Sequence, residues 1–140
     1  MRLIDSSLSK YIEETHHLPI GSIYFFEYFV VTEFNEGEHI DLSASETFIN
    51  LSKSFFSSKK AFGIITNRIN RFSVNPLDIK KYSDKLENLE SFCSITYNNE
   101  YDNMNVEIEK RFTSKPFFIT KDFKEAFNWT FKTVTKSLIE

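Results

Sequence analysis

The densest set of side chains able to do chemistry lies in one short span: Thr66, Asn67, Arg68, Asn70, Arg71 and Ser73. It follows a continuous apolar run, Phe62-Gly63-Ile64-Ile65-Thr66, and precedes Asn75-Pro76-Leu77-Asp78, which has the marks of a helix start. Two guanidiniums and two carboxamides beside a helix N-terminus suit an anion. Free backbone N–H groups favour negative charge there, and arginine presents paired donors to a carboxylate or phosphate. A phosphate carried on Ser73 would meet the same surroundings. The plainer reading of these residues is structural: asparagines cap turns, and arginines stand in solvent or pair with nearby acids. In open parallel sheets, sites gather at the carboxyl ends of strands, where the strand order reverses. This strand–loop–helix junction, Lys60 to Tyr82, is therefore the place to look for one.

Other reactive side chains form no constellation. His16 and His17 follow Glu13 and Glu14, but neighbours on a strand point to opposite faces and cannot share one ion. His39 stands far away in sequence, so no metal is expected. Cys93 lies in an apolar run and reads as a buried structural thiol rather than a nucleophile. There is no glycine-rich phosphate loop, no histidine-centred triad and no close pair of carboxylates at an interpretable spacing. Catalysis and a cofactor are accordingly not expected. The formal net charge is −3 with both signs scattered along 140 residues, which argues against a broad phosphate-binding surface and hence against nucleic acid.

The longest apolar stretch, Ile23 to Val31, is interrupted by Glu27 and is too short for a bilayer span. The N-terminal residues show no signal-peptide pattern. A single cysteine permits no internal disulfide, which fits a reducing, cytoplasmic setting.

Such a site must be held by a core, and the composition supplies one. The apolar share is only 41%, but 16 residues are Phe, and aromatic side chains bury large areas each. With 3 Gly and 3 Pro there is little linker material, so a single domain over residues 1–140 is expected.

Lys10 to His17 reads as an edge strand and Leu18 to Gly21 as a turn. Ser22 to Phe34, aromatic and β-branched, is one long strand or a hairpin turning near Phe26 to Tyr28. Ser43-Ala44-Ser45-Glu46 has the form of a capping box. The helix after it would bury Ala44, Phe48, Leu51 and Phe55 and end near Ser57 to Lys60. Phe62 to Thr66 suits a strand covered on both faces, with Gly63 letting a helix backbone approach closely or marking a bulge. Asn75 as N-cap and Pro76 at the first helical position open the next helix, with Ile79, Tyr82 and Leu86 as its stripe. Ser91 to Tyr97 is a strand, followed by turn residues Asn98 and Asn99. Acids early and Lys110-Arg111 late mark a helix from Glu100 to Phe112, its packing face given by Tyr101, Met104 or Asn105, Ile108 and Phe112. Lys115 to Thr120 is a last short strand. Asp122 to Ile139 is the closing helix, with Phe123, Phe127, Phe131, Val134 and Leu138 in line; Trp129 beside Phe131 widens its apolar face. The alternation of strands and helices predicts right-handed crossovers and a parallel sheet with an antiparallel N-terminal part.

The N-terminal hairpin, the later strand–helix units, the FGIITNRINRFSVNP stretch and the closing helix together resemble the SpoIIAA-like (STAS) superfamily of small bacterial proteins, which includes STAS/Sec14-like relatives. The resemblance runs from about Tyr11 to the end. It implies an α/β fold with a mixed four- to five-stranded sheet, an N-terminal antiparallel hairpin and about four helices mainly on one side. In the antagonists of that family a phosphorylatable serine lies in an Asp-Ser-Ser/Thr-Gly motif. The matching stretch here is Phe72-Ser73-Val74-Asn75-Pro76, which lacks the Asp, the second hydroxyl residue and the Gly. Only Ser73 is left as a phosphoacceptor.

The resulting expectation is a noncatalytic cytoplasmic regulatory or protein-interaction domain. Its contact residues would be Asn67, Arg68, Asn70, Arg71 and Ser73, facing a protein partner. The aromatic stretch Ile23 to Phe34 could form the face of a homodimer or line a ligand pocket, core being its plainer reading. The alternative is a small-molecule module holding an apolar ligand between the aromatic hairpin and the helices. An apolar cavity of a few hundred Å³ would favour the ligand module.

Overall fold

The structure, a computed structural model, describes residues 1–57, 60–97 and 100–139, the last three by their backbone alone. The expected turn residues Asn98 and Asn99 and the side chain of Leu138 lie outside the described residues. In chain order the elements are β1 (Glu14–Leu18), β2 (Gly21–Phe25), β3 (Phe29–Phe34), β4 (His39–Ile40), α1 (Glu46–Phe56), β5 (Phe62–Asn67), β6 (Ser73–Val74), α2 (Ile79–Lys85), β7 (Leu89–Ile95), α3 (Glu100–Lys110), β8 (Phe117–Thr120) and α4 (Phe123–Ile139).

The class is α/β, as expected, with a mixed sheet. Among the described residues the main sheet has six strands rather than four or five, in the order β1-β2-β3-β5-β7-β8. The first three form an antiparallel meander, turning at Pro19-Ile20 and at Phe26 to Tyr28. From β3 onward every pairing is parallel. The N-terminal edge strand is shorter and later than expected, because Ser7–Tyr11 coils into a 3-10 turn capped by Ser6. A second, two-stranded ladder pairs β4 with β6.

The crossovers β3–α1–β5, β5–α2–β7 and β7–α3–β8 all step the same way along the sheet. Right-handed connections then place α1, α2 and α3 on one face. Phe48, Ile49 and Phe56 of α1 and Tyr82 of α2 share that core with Ile23, Phe25, Val30, Phe62 and Ile64. The opposite face holds Tyr24, Val31, Ile65, Cys93 and Ile95 against Phe123 and Ala126 of α4, with Leu3 from the N-terminal segment. Both faces are therefore covered, three helices on one and the longest helix on the other. Because the parallel run never reverses, β5 is not a switch point, and no crevice opens at its end for that reason.

Local signals explain most of the elements, and their failures are instructive. Gly63 marks an irregularity, as one of its two readings has it, and what crowds it is side chains rather than a helix backbone. The register against β7 slips between Phe62 and Gly63. A Cβ on Gly63 would also lie 2.6 Å from Ser91 Oγ and 2.6 Å from Thr130 Cγ2 of α4. Asn75 accepts a bond from the Leu77 N–H at 3.2 Å, and the 3-10 turn Pro76–Asp78 leads into α2. The capping box at Ser43 and Glu46 does not form. Helix α1 begins at Glu46 behind Ser45, whose buried hydroxyl bonds Tyr82 Oη at 2.6 Å instead of the backbone. Asp41 takes the capping role in the preceding turn, accepting from the Ala44 N–H at 2.8 Å. The buried face of α1 is Phe48, Ile49, Ser52 and Phe56, with Leu51 and Phe55 half-buried. That face is rotated by about one residue from the expected stripe. Helix α4 likewise buries Phe123, Ala126, Thr130 and Val134 and leaves Phe131 47% exposed.

Candidate functional site

The parallel strands bring their carboxyl ends together at one end of the sheet, and most of the polar cluster from 66 to 73 lies there. The residues do not converge on one point. Asn67, the last residue of β5, is fully buried. Its Nδ2 donates to Glu33 Oε2 at 2.6 Å and to the Met1 carbonyl at 3.0 Å, while Tyr97 Oη donates to its Oδ1 at 2.6 Å. Glu33, buried in β3, also accepts from the Leu3 N–H at 2.7 Å. This network straps the N-terminal segment across the ends of β3 and β5. Burial, with the charge of Glu33 adding, pushes the Tyr97 phenol up to about 12.

Arg68 is buried as well, with 2% of its surface exposed. Its guanidinium donates to Glu109 Oε2, stands 4.0 Å from Asp102 Oδ1 and lies over the Phe72 ring at 4.6 Å. Both carboxyls come from α3. Burial pushes both above the ordinary carboxylate range, against the opposing pull of Arg68. Arg68 therefore meets its acids inside the chain, through one hydrogen bond from Nη2 to Glu109 and the charge of Asp102, and its side chain does not reach the surface. Asn67 and Arg68 are thus structural at their contacts.

Asn70, Arg71 and Ser73 do reach the surface. Asn70 Nδ2 donates to the Phe34 carbonyl at 3.0 Å and closes the end of β3. Arg71 is exposed; its N–H donates to Glu36 Oε2 at 2.7 Å, and its guanidinium lies 5.6 Å from the centre of the Tyr101 ring. Ser73 sits half-buried on β6 with its Oγ 2.7 Å from Nδ1 of the exposed His39 on β4. Thr66 is half-buried and faces a cavity of about 60 Å³ between the sheet and α1–α3, which Ile64, Phe48, Tyr82 and Glu109 also line. An open basin of about 500 Å³ at the strand ends carries both signs of charge, among them Arg2, Glu36 and Arg71.

The remaining candidates are dispersed. His16 Nε2 pairs with Glu14 Oε1 at 2.8 Å and His17 Nδ1 with Ser22 Oγ at 2.9 Å. Among the described residues no three of His, Cys, Asp and Glu come together as a metal group. Cys93 is buried, and burial pushes its thiol up to about 12.

Helix α3 departs most from expectation. Its sequence stripe, Tyr101, Met104 or Asn105, Ile108 and Phe112, should face the core; of these Asn105 is half-buried. The structure buries Asp102, Val106 and Glu109 instead. Tyr101 is 41% exposed, Met104 67%, Ile108 40% and Phe112 41%. The physical reason is Arg68. A guanidinium inside the protein requires acid partners there, and the two acids lie on the other side of α3 from the apolar stripe. Satisfying Arg68 turns that stripe to the outside. Sequence reasoning weighed the apolar period and missed that Asp102 and Glu109, seven residues apart, also share a helix face. The seven-residue spacing stands in the sequence; that Arg68 is buried against those two acids is visible only in the structure.

Comparison of the chain with family models, with curated proteins and with solved structures finds no match. Among the described residues no helix is long and apolar enough to cross a membrane.

Proposed function

We propose that this chain is a noncatalytic protein-interaction domain of regulatory type, SpoIIAA-like in character and working in the cytoplasm. Its contact surface is the outward stripe of α3 together with the Asn70–Ser73 segment. One observation carries the reading: helix α3 and the turn after it leave Tyr101, Met104, Ile108 and Phe112 exposed along one side. Monomeric proteins rarely leave contiguous apolar patches exposed unless something covers them. Arg71, lying over Tyr101, joins the stripe to the polar loop. Arginine beside aromatic residues is the pairing that interfaces favour. Ser73 lies farther along the same segment. A phosphate there would displace its contact with His39 and add negative charge to this surface.

The ligand alternative has less behind it. Cavities that hold drug-sized ligands run to roughly 300–1,000 Å³, whereas the space beneath the sheet is about 60 Å³. The hairpin aromatics are stacked on each other and on α1, with the Phe26 and Phe29 rings 4.9 Å apart and the Phe25 and Phe55 rings 4.7 Å apart.

Photo-crosslinking in cells tests the reading. A photoreactive residue at Met104 or Arg71 should trap discrete protein adducts, and one at Glu14, on the far edge of the sheet, should not. Absence of adducts at both positions would remove the proposal. Arg68 is unsuitable for such a test, because changing it disturbs the interior.

A further inference from the structure

The interaction surface argues for its own occupant. We propose that α3 docks a second copy of this chain, the two helices running antiparallel about a two-fold axis near Met104 and Ile108. The inference rests on the interaction reading above and adds the partner.

Met104, Ile108 and Phe112 follow one another at four-residue intervals. They form a continuous ridge, the shape that packs helix against helix. Phe112 belongs to the ridge because the helical turn continues past α3, with the Phe112 N–H donating to the Glu109 carbonyl at 3.0 Å. A two-fold contact requires that the surface be complementary to itself. Run antiparallel, the ridge satisfies this: Met104 meets Ile108 of the other copy, and Tyr101 with Arg71 on its ring meets Phe112.

The charges point the same way. Glu100 is exposed at the start of α3, and Lys110 and Arg111 are exposed at its end. On a helical wheel Glu100 and Arg111 border the same side of the ridge. An antiparallel pair sets Glu100 of each copy against Arg111 of the other, twice by symmetry. A parallel pair would set acid beside acid and base beside base. The two helix dipoles also oppose one another only in the antiparallel arrangement.

Analytical ultracentrifugation of the full chain over a concentration series tests the proposal. The expected result is a reversible monomer–dimer equilibrium. Met104→Lys or Ile108→Lys should weaken it by about tenfold or more with an unchanged circular dichroism spectrum. Glu100→Arg and Arg111→Glu should each weaken it, and the double reversal should restore it with the helices still antiparallel. A chain that stays monomeric overturns the proposal, as does a dimer indifferent to Met104→Lys and Ile108→Lys. A double reversal that fails to restore association overturns the antiparallel arrangement. The interaction reading fails separately: a monomeric chain that still crosslinks a different protein through Met104 keeps the surface and loses only the second copy.

Discussion

Arg68 shows what one side chain can impose. Enclosing a guanidinium costs desolvation that only acid partners and their hydrogen bonds offset. With Glu109 removed, Arg68 keeps only the more distant Asp102. Glu109→Ala should cost about 3 kcal/mol of stability, read from urea unfolding midpoints. Replacing the whole cluster, as Arg68→Met/Asp102→Leu/Glu109→Leu, should cost far less than that single change. The same carboxyls set a pH dependence. Their pKa values are raised on folding, so the native state holds their protons more tightly than the unfolded state does. Their contribution is then largest at low pH and declines as pH rises above about 4 through the raised values. Asp78 has the opposite sign. Its bond to Lys81 foremost, and that from the Leu42 N–H, hold its carboxyl below the usual range. Its contribution is full at neutral pH and is lost as pH falls below about 4. Glu109→Gln should flatten the decline on the higher-pH side, and Asp78→Asn should flatten the loss on the acid side, both measured as unfolding midpoint against pH. The Cys93 thiol, pushed up to about 12 by burial, should react with thiol reagents only as fast as the chain opens.

At the scale of elements, exposure and hydrophobicity part company on α3, and substitution separates them. Met104→Lys should change stability by no more than about 0.5 kcal/mol, whereas Val106→Lys, two residues along on the opposite side of the helix and 1% exposed, should cost several kcal/mol. Thermal unfolding of the two variants in the monomeric concentration range reads the difference; equal losses would mean that α3 is oriented by its apolar stripe after all. Gly63 makes a second local claim. Ser91 and Thr130 occupy the space a side chain would need, so Gly63→Val should destabilise by about 1–3 kcal/mol by forcing α4 away from β5. The period of α1 was legible to within about one residue, but its cap was not. Whether a serine bonds the backbone or a distant phenol depends on where Tyr82 arrives, and that is not a local property.

For the molecule as a whole, the sheet order places β3 and β5 at its centre and β1 and β8 at its edges. Amide exchange should be slowest in β3 and β5 and fastest in β1, where Glu14, His16 and His17 discourage pairing with another chain. Ser22 to Phe34 could be read as one long strand or as a hairpin. The strand–helix alternation, the continuous apolar run of β5, the irregularity at Gly63 and the Asn75-Pro76 helix start could all be read from the chain. Each depends on backbone geometry or on periodicity within a few residues, which neighbours in sequence control. Three things could not: that the meander brings the sheet to six strands, that Asn67 and Arg68 turn inward while Asn70, Arg71 and Ser73 turn out, and that α3 shows its apolar side to solvent. The first turns on whether Ser22 to Phe34 folds back on itself; the other two depend on contacts between residues more than thirty positions apart, Asn67 with Glu33 and Arg68 with Glu109. A buried charge that must find its counter-charge outweighs the burial of one apolar stripe, and that contest is settled only when the elements meet.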